Sequence, residues 1–80
     1  MKARIFVTLK PGVLDPQGQA IQGALAALGF DDVASVRQGK VFDVELSDAS
    51  GAQARLDAMC AKLLANTVIE DYRVEMADHP

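Results

Sequence analysis

Apolar and polar residues alternate from Lys2 to Lys10, with Ala3, Ile5, Val7 and Leu9 on one face and Lys2, Arg4, Phe6, Thr8 and Lys10 on the other. A period of two predicts a half-buried strand, with Phe6 an apolar exception on its polar side. The period then lengthens. Between Pro16 and Leu28, the residues Ala20, Ile21, Ala24, Leu25 and Leu28 recur at the spacing of one helical face. The stretch LKPGVLDPQG from Leu9 to Gly18 carries the signals for this switch. Pro11-Gly12 suits a type II turn, because proline fixes φ and glycine takes the positive φ that follows. Asp15-Pro16 suits a helix start, with aspartate as N-cap and proline at the first helical position. Gly29 suits the residue that closes the helix. Gly18 is the anomaly: glycine inside a helix costs about 1 kcal/mol relative to alanine, so a close approach of another backbone is expected there.

Val33 to Val36 predicts a short strand, Gln38-Gly39 a turn, and Lys40 to Leu46 a second alternating strand, together a β-hairpin. In the second of these, Phe42, Val44 and Leu46 oppose Val41, Asp43 and Glu45. Ser50 to Gln53 matches a capping box and opens a helix whose stripe is Leu56, Met59, Cys60, Leu63 and Leu64, with Asn66 as its end. From Val68 to Met76 a last strand sets Val68, Tyr72, Val74 and Met76 against Ile69, Asp71, Arg73 and Glu75. The order β-α-β-β-α-β is that of a ferredoxin-like sandwich, an α+β fold with both helices on one face of a four-stranded antiparallel sheet. The tail from Ala77 to Pro80 is expected to fray.

Residues 1–80 read as one domain. Chains this short are marginal alone and commonly gain stability from disulfides, metals or oligomerisation. A single cysteine, Cys60, excludes an internal disulfide, and no Cys/His cluster offers a structural metal site. Self-association or docking on a larger partner is therefore expected. The net charge of −3, from eight basic and eleven acidic side chains, argues against a nucleic-acid backbone as partner. No run of eighteen apolar residues is present, so no membrane span is expected. The start lacks the apolar core of a signal peptide, and a cytoplasmic location follows as the expectation.

The sheet face away from the helices should carry Lys2, Arg4 and Lys10 beside Asp43 and Glu45 on one flank and Asp71, Arg73 and Glu75 on the other. Opposite charges across antiparallel strands contribute roughly 0.2–1 kcal/mol per pair. Phe6, Val41 and Ile69 sit among them, and three apolar residues on one small face point to a contact surface. Catalytic chemistry is hard to find. His79 is the only histidine and stands in the tail without a residue to orient it. Cys60 falls on a buried stripe, the usual place of a packing residue. A phosphate loop fails residue by residue: GVLDPQGQ from Gly12 to Gln19 lacks the lysine and hydroxyl, and Pro16 removes an N–H from the helix start.

Val7 to Gly18, VTLKPGVLDPQG, resembles the N-terminal signature of the PurS family, the small subunit of phosphoribosylformylglycinamidine (FGAM) synthase. Lys62 to Asn66, KLLAN, continuing through Val68 to Tyr72, VIEDY, resembles a second family segment. Gly29 and the RQGKV of Arg37 to Val41 also fit, so the resemblance runs from about Lys2 to Glu75. One position departs: Thr67 stands where the family usually has proline, which implies a looser helix end and no change of function.

The resemblance implies a role in de novo purine (IMP) biosynthesis. The synthase converts formylglycinamide ribonucleotide to its amidine with ATP and with ammonia released from glutamine. A glutaminase subunit makes the ammonia and a large synthase subunit carries out the ligation. A PurS-type subunit is implied to be non-catalytic, to associate as a dimer or tetramer, and to bridge the other two so that assembly and ammonia transfer are supported. ATP, Mg and glutamine then belong to the partner subunits, and no cofactor is expected on this chain. The interface candidates are Phe6 on the open face, Lys10, Pro11, Gly12, Val13, Leu14 and Asp15 in the first loop, and Asn66, Ile69, Glu70, Asp71 and Tyr72 at the last helix–strand junction. Turn-and-cap chemistry is an equally simple account of Pro11, Gly12 and Asp15, while Val13 and Leu14 either close the core or meet a partner. The alternative function is a stand-alone ACT-like regulatory domain that binds a small ligand at a dimer interface.

Overall fold

The computed structural model describes residues 1–77. His79 and the end of the tail expected to fray lie outside the described residues. Strand β1 (Lys2–Leu9) forms where the alternation predicts it, and Ala3, Ile5 and Val7 are buried. It is the middle of a sheet ordered β2-β1-β3, antiparallel to β2 (Gly39–Glu45) and to β3 (Glu70–Ala77). The expected central position of the first strand is thus observed. Met1 extends the ladder: its carbonyl accepts from Leu46 N–H, and its ammonium donates to the Leu46 carbonyl, both at 2.8 Å.

Helix α1 (Pro16–Ala27) starts and stops as its end residues dictate. Asp15 caps it by accepting from Gly18 N–H at 2.9 Å. At the far end Gly29 takes φ +99. Gly29 N–H donates to the Ala26 carbonyl at 3.0 Å and Phe30 N–H to the Leu25 carbonyl at 2.9 Å, the paired bonds of a Schellman closure. The first loop also behaves as read, with Gly12 at φ +87 and Val13 N–H bonded to the Lys10 carbonyl at 3.0 Å.

Two expectations are corrected. The described residues contain three strands rather than four, because Val33 to Val36 does not fold back as a hairpin arm. Residues 33–38 instead run without a turn into β2, held along α1 and the first loop. Gln22 Nε2 donates to the Ala34 carbonyl at 3.1 Å, and Asp15 Oδ2 accepts from Gln38 N–H at 2.7 Å. The Arg37 guanidinium donates to the carbonyls of Val13, at 2.9 Å, and Lys10, at 3.2 Å. Those bonds replace the hairpin ladder. The second helix is also built differently. Gly51, at φ +60, is its N-cap, and the expected capping box is absent: Ser50 N–H bonds Asp48 and Gln53 reaches Asp57. After α2 (Ala52–Met59) the chain widens into a π-helical turn, Cys60–Leu64, closed by Ala65 N–H on the Cys60 carbonyl at 2.9 Å.

The core consists of Ala3, Ile5 and Val7 of β1, Leu46, and Ala52, Leu56, Cys60 and Ala65 from α2 and the turn after it. Phe42, Val44, Tyr72 and Val74 are half-buried against it, whereas no residue of α1 contributes. So α2 covers the sheet and α1 does not. The molecule is correspondingly long, 49 × 31 × 14 Å with a radius of gyration of 16.0 Å, against about 12 Å for a compact chain of this length.

Candidate subunit interface

Hydrogen bonding joins the first loop to the last junction. Lys10 N–H donates to the Ile69 carbonyl at 2.9 Å, carrying the β1–β3 ladder one residue past Leu9. The junction is itself a tight turn: Asn66 accepts from Ile69 N–H and Glu70 N–H through its carbonyl and from Val68 N–H through its side chain. Glu70 ties this turn to the sheet. One carboxylate oxygen accepts from Asn66 N–H at 2.7 Å, and the other pairs with Lys40 of β2 at 3.5 Å. Both predicted segments therefore meet at one end of the sheet.

Within that end the predicted residues divide. Pro11 and Gly12 are exposed at the turn, Leu14 is 64% exposed, and Asp71 is exposed beside Lys10, 4.0 Å away. Val13 is half-buried. Asp15 is 5% exposed, and its carboxylate is occupied by Gly18 and Gln38. Hydrogen bonds from Gln38 first and Gly18 second hold that carboxyl below the usual carboxylate range. Tyr72 is half-buried against the core, and burial first, then the nearby Asp57 carboxylate, pushes its phenol up. Cys60 is fully buried, and its thiol too is pushed up by burial, then by Asp57. That is the environment of an unreactive cysteine.

The open sheet face is laced with charge as expected. Arg4 bonds Asp43 at 2.8 Å across the β1–β2 pair, and that bond holds Asp43 below its usual range. Arg73 lies over the Phe6 ring at 4.4 Å, so Phe6 is half-covered by a cation rather than offered bare. Its cross-strand partner Val41 is exposed.

Several exposed apolar residues escaped the sequence reading of contact sites. Leu63 and Val68, at 84% and 80% exposure, flank the junction. The π-helical turn is responsible for the first: adding a residue to the turn rotates Leu63 off the stripe and brings Ala65 inward. On α1 and its closure, Ile21, Leu28 and Phe30 are exposed, the last two at 74% and 56%. A signal for these was present, because no charged residue occurs from Pro16 to Phe30.

The family model for PurS, phosphoribosylformylglycinamidine (FGAM) synthase, matches residues 2–78. The chain belongs to the PurS family. It is 52% identical to the PurS subunit of phosphoribosylformylglycinamidine synthase from Synechocystis over 91% of this chain and 75% of that one. Bacillus subtilis PurS is 47% identical over 96% of this chain and 93% of its own. A solved structure of B. subtilis PurS superimposes with a TM-score of 0.87 at 45% identity, over 92% of this chain and 94% of that one. A chain in the structure of Thermotoga maritima PurLQS does so with a TM-score of 0.79 at 30% identity, over 92% and 93%. The shared PurS fold therefore includes the three strands and two helices described above. Among the described residues, no helix is long and apolar enough to cross a membrane.

Proposed function

We propose that this chain is the PurS subunit of an FGAM synthase in de novo purine biosynthesis and that it acts there as a bridge rather than as a catalyst. The observation that carries this is its likeness, over nine-tenths of its length, to a chain of the Thermotoga PurLQS assembly. The site chemistry agrees. Asp15 and Glu70 bind backbone N–H groups of this same chain, Arg4 and Asp43 satisfy each other, and Cys60 is enclosed. Apolar residues at the surface, by contrast, have no partner side chain to justify them at Leu14, Leu63 and Val68. Those three, with Pro11, Gly12, Ile69 and Asp71, are the contact surface toward a glutaminase and a synthase subunit. ATP, Mg and glutamine are handled by those partners in the cytoplasm, and the chain supports assembly and ammonia transfer while associating with itself as a dimer or tetramer.

The test is co-elution. Mixed with glutaminase and synthase subunits, glutamine, Mg²⁺ and ADP, the chain is expected to shift into one high-mass peak. Elution alone under those conditions refutes the bridge. A thermal shift on adding an amino acid or nucleotide without the partners would instead support a ligand-binding regulatory domain.

A further inference from the structure

We propose that Glu70 is a positioning residue, whose carboxylate fixes the turn that presents Val68 and Ile69 to the other subunits. The inference deepens the reading of this chain as a bridge and rests on it.

The register places Glu70 on the inner face of the sheet. Val7 is buried, and residues paired across an antiparallel sheet share a face. Lys40 stands opposite Val7, and Glu70 stands opposite Leu9, two residues further along the same strand. Both charged side chains therefore lie on the core side of the sheet. Strands spaced about 4.8 Å put β2 and β3 about 10 Å apart, with β1 between them. Lys40 and Glu70 nonetheless meet at 3.5 Å, so their long side chains reach across β1. There the Glu70 side chain is only 13% exposed. A carboxylate that has lost most of its water needs fixed partners. Glu70 has two, the Lys40 ammonium and the Asn66 N–H, which donates to it at 2.7 Å.

The second partner ties the carboxylate to the contact surface. Asn66 and Glu70 clasp each other in both directions, because the Asn66 carbonyl accepts from Glu70 N–H at 2.7 Å. Between them lies a turn closed by Ile69 N–H on the same carbonyl at 3.0 Å. Its second residue is Thr67, which leaves φ free where a proline would set it. Asn66, Thr67, Val68 and Ile69 are all exposed, so packing does not set the turn's shape. Hydrogen bonds do, and the one to the Glu70 carboxylate is charge-assisted, about twice as strong as a neutral bond. Through Lys40 the same carboxylate fastens the turn to the far strand β2. A partner that meets Val68 and Ile69 thus finds a preformed surface and need not order it on binding.

Two measurements test this, one on the chain without its partner subunits and one with them. Amide hydrogen exchange followed by NMR reads the turn. Glu70→Ala is expected to speed exchange at Val68 and Ile69 roughly 10-fold or more, while the amides of Ile5 and Val7 keep their rates. Unchanged exchange at Val68 and Ile69 overturns the proposal. A uniform rise that includes Ile5 and Val7 also overturns it, because it reports a general loss of stability. Titration with the glutaminase and synthase subunits, in the presence of glutamine, Mg²⁺ and ADP, reads assembly. Glu70→Ala is expected to weaken assembly roughly 10–100-fold, and Lys40→Met to weaken it less, because the Asn66 bond remains. Adding Thr67→Pro to Glu70→Ala is expected to recover most of the loss, since proline at the second position of a turn sets its shape by another route. Assembly of Glu70→Ala at wild-type strength overturns the proposal. So does a double variant whose turn exchanges at the wild-type rate but whose assembly stays weak, which would make the carboxylate a direct contact of the partner. The bridge fails separately: a wild type that elutes alone refutes it, whereas a wild type that assembles beside an unaffected Glu70→Ala refutes the positioning role alone.

Discussion

Two glycines on the same helix should respond to alanine with opposite signs. A Cβ at Gly18 would collide with the Val36 carbonyl oxygen and lie 2.7 Å from the Asp15 carboxylate. A Cβ at Gly23 would meet nothing within 4 Å. In each case alanine gains about 1 kcal/mol of helix propensity over glycine. At Gly23 nothing opposes that gain, so Gly23→Ala should stabilise the chain by about 1 kcal/mol. At Gly18 the obstacle is backbone rather than a flexible side chain, which places the strain near the top of the roughly 1–3 kcal/mol range for overpacking. Net destabilisation by about 1–2 kcal/mol follows for Gly18→Ala once the propensity gain is subtracted. The two variants should then differ by about 2–3 kcal/mol, which for a domain of this size separates their melting temperatures by roughly 10–20 °C. Thermal unfolding followed by circular dichroism measures this, with both variants at one protein concentration so that the comparison holds whatever the oligomeric state. A Gly18→Ala variant as stable as Gly23→Ala would refute the close approach of residues 33–38 to α1.

Leu14→Asp should leave stability within about 0.5 kcal/mol, as for other surface substitutions, while weakening assembly with the other subunits in co-elution; a large loss of Tm would place Leu14 in the core instead. Leu56→Ala should cost about 2–5 kcal/mol because Leu56 is fully enclosed. Leu63→Ala, on the outer side of the π-helical turn, should change stability by less than about 0.5 kcal/mol in chemical denaturation of the chain without its partner subunits; equal losses would mean that the turn does not rotate Leu63 outward. Asp15 contributes to pH dependence with a defined sign. Its folded pKa lies below that of an unperturbed aspartate, so the stability it supplies is present above the unperturbed value and is lost as pH falls through the lower, folded pKa. Asp15→Asn should flatten the stability-versus-pH curve below pH about 4, and an acid limb unchanged from wild type would show that Gln38 and Gly18 do not stabilise the carboxylate.

Local chemistry was legible where one residue type has one physical solution. Pro11-Gly12, the Asp15-Pro16 start and the Gly29 stop each appear as the turn, cap and closure their side chains demand. The alternation of β1 fixed which face is buried, and Gly18 announced a backbone contact that Val36 supplies. The errors arose where the outcome depends on a competitor. Val33 to Val36 has strand character and the outer edge of β2 is open to it, but Gln22, Asp15 and Arg37 bind residues 33–38 to α1 and the first loop instead. Ser50 offers a cap, but Gly51 at positive φ takes the position. Leu63 fits a period of 3.6, and a π-helical turn, which leaves little trace in composition, changes the phase after Met59.

The stripe of α1 is a different kind of error. Its periodicity was right, but the expectation that both helices cover one face of the sheet was not met, since α1 adds no residue to the core; a hydrophobic face specifies burial without specifying by whom. What distinguishes the cases is the rest of the helix. A helix that covers its own sheet keeps a charged outer side for water, whereas the residues from Pro16 to Phe30 lack charge all round. On that ground the absence of charge carries more information about function than the stripe does. It marks an element whose inner side is covered by the segment from residue 33 to 38 and whose outer side, with Ile21, Leu28 and Phe30 exposed, has the composition of a contact surface rather than of a solvated helix.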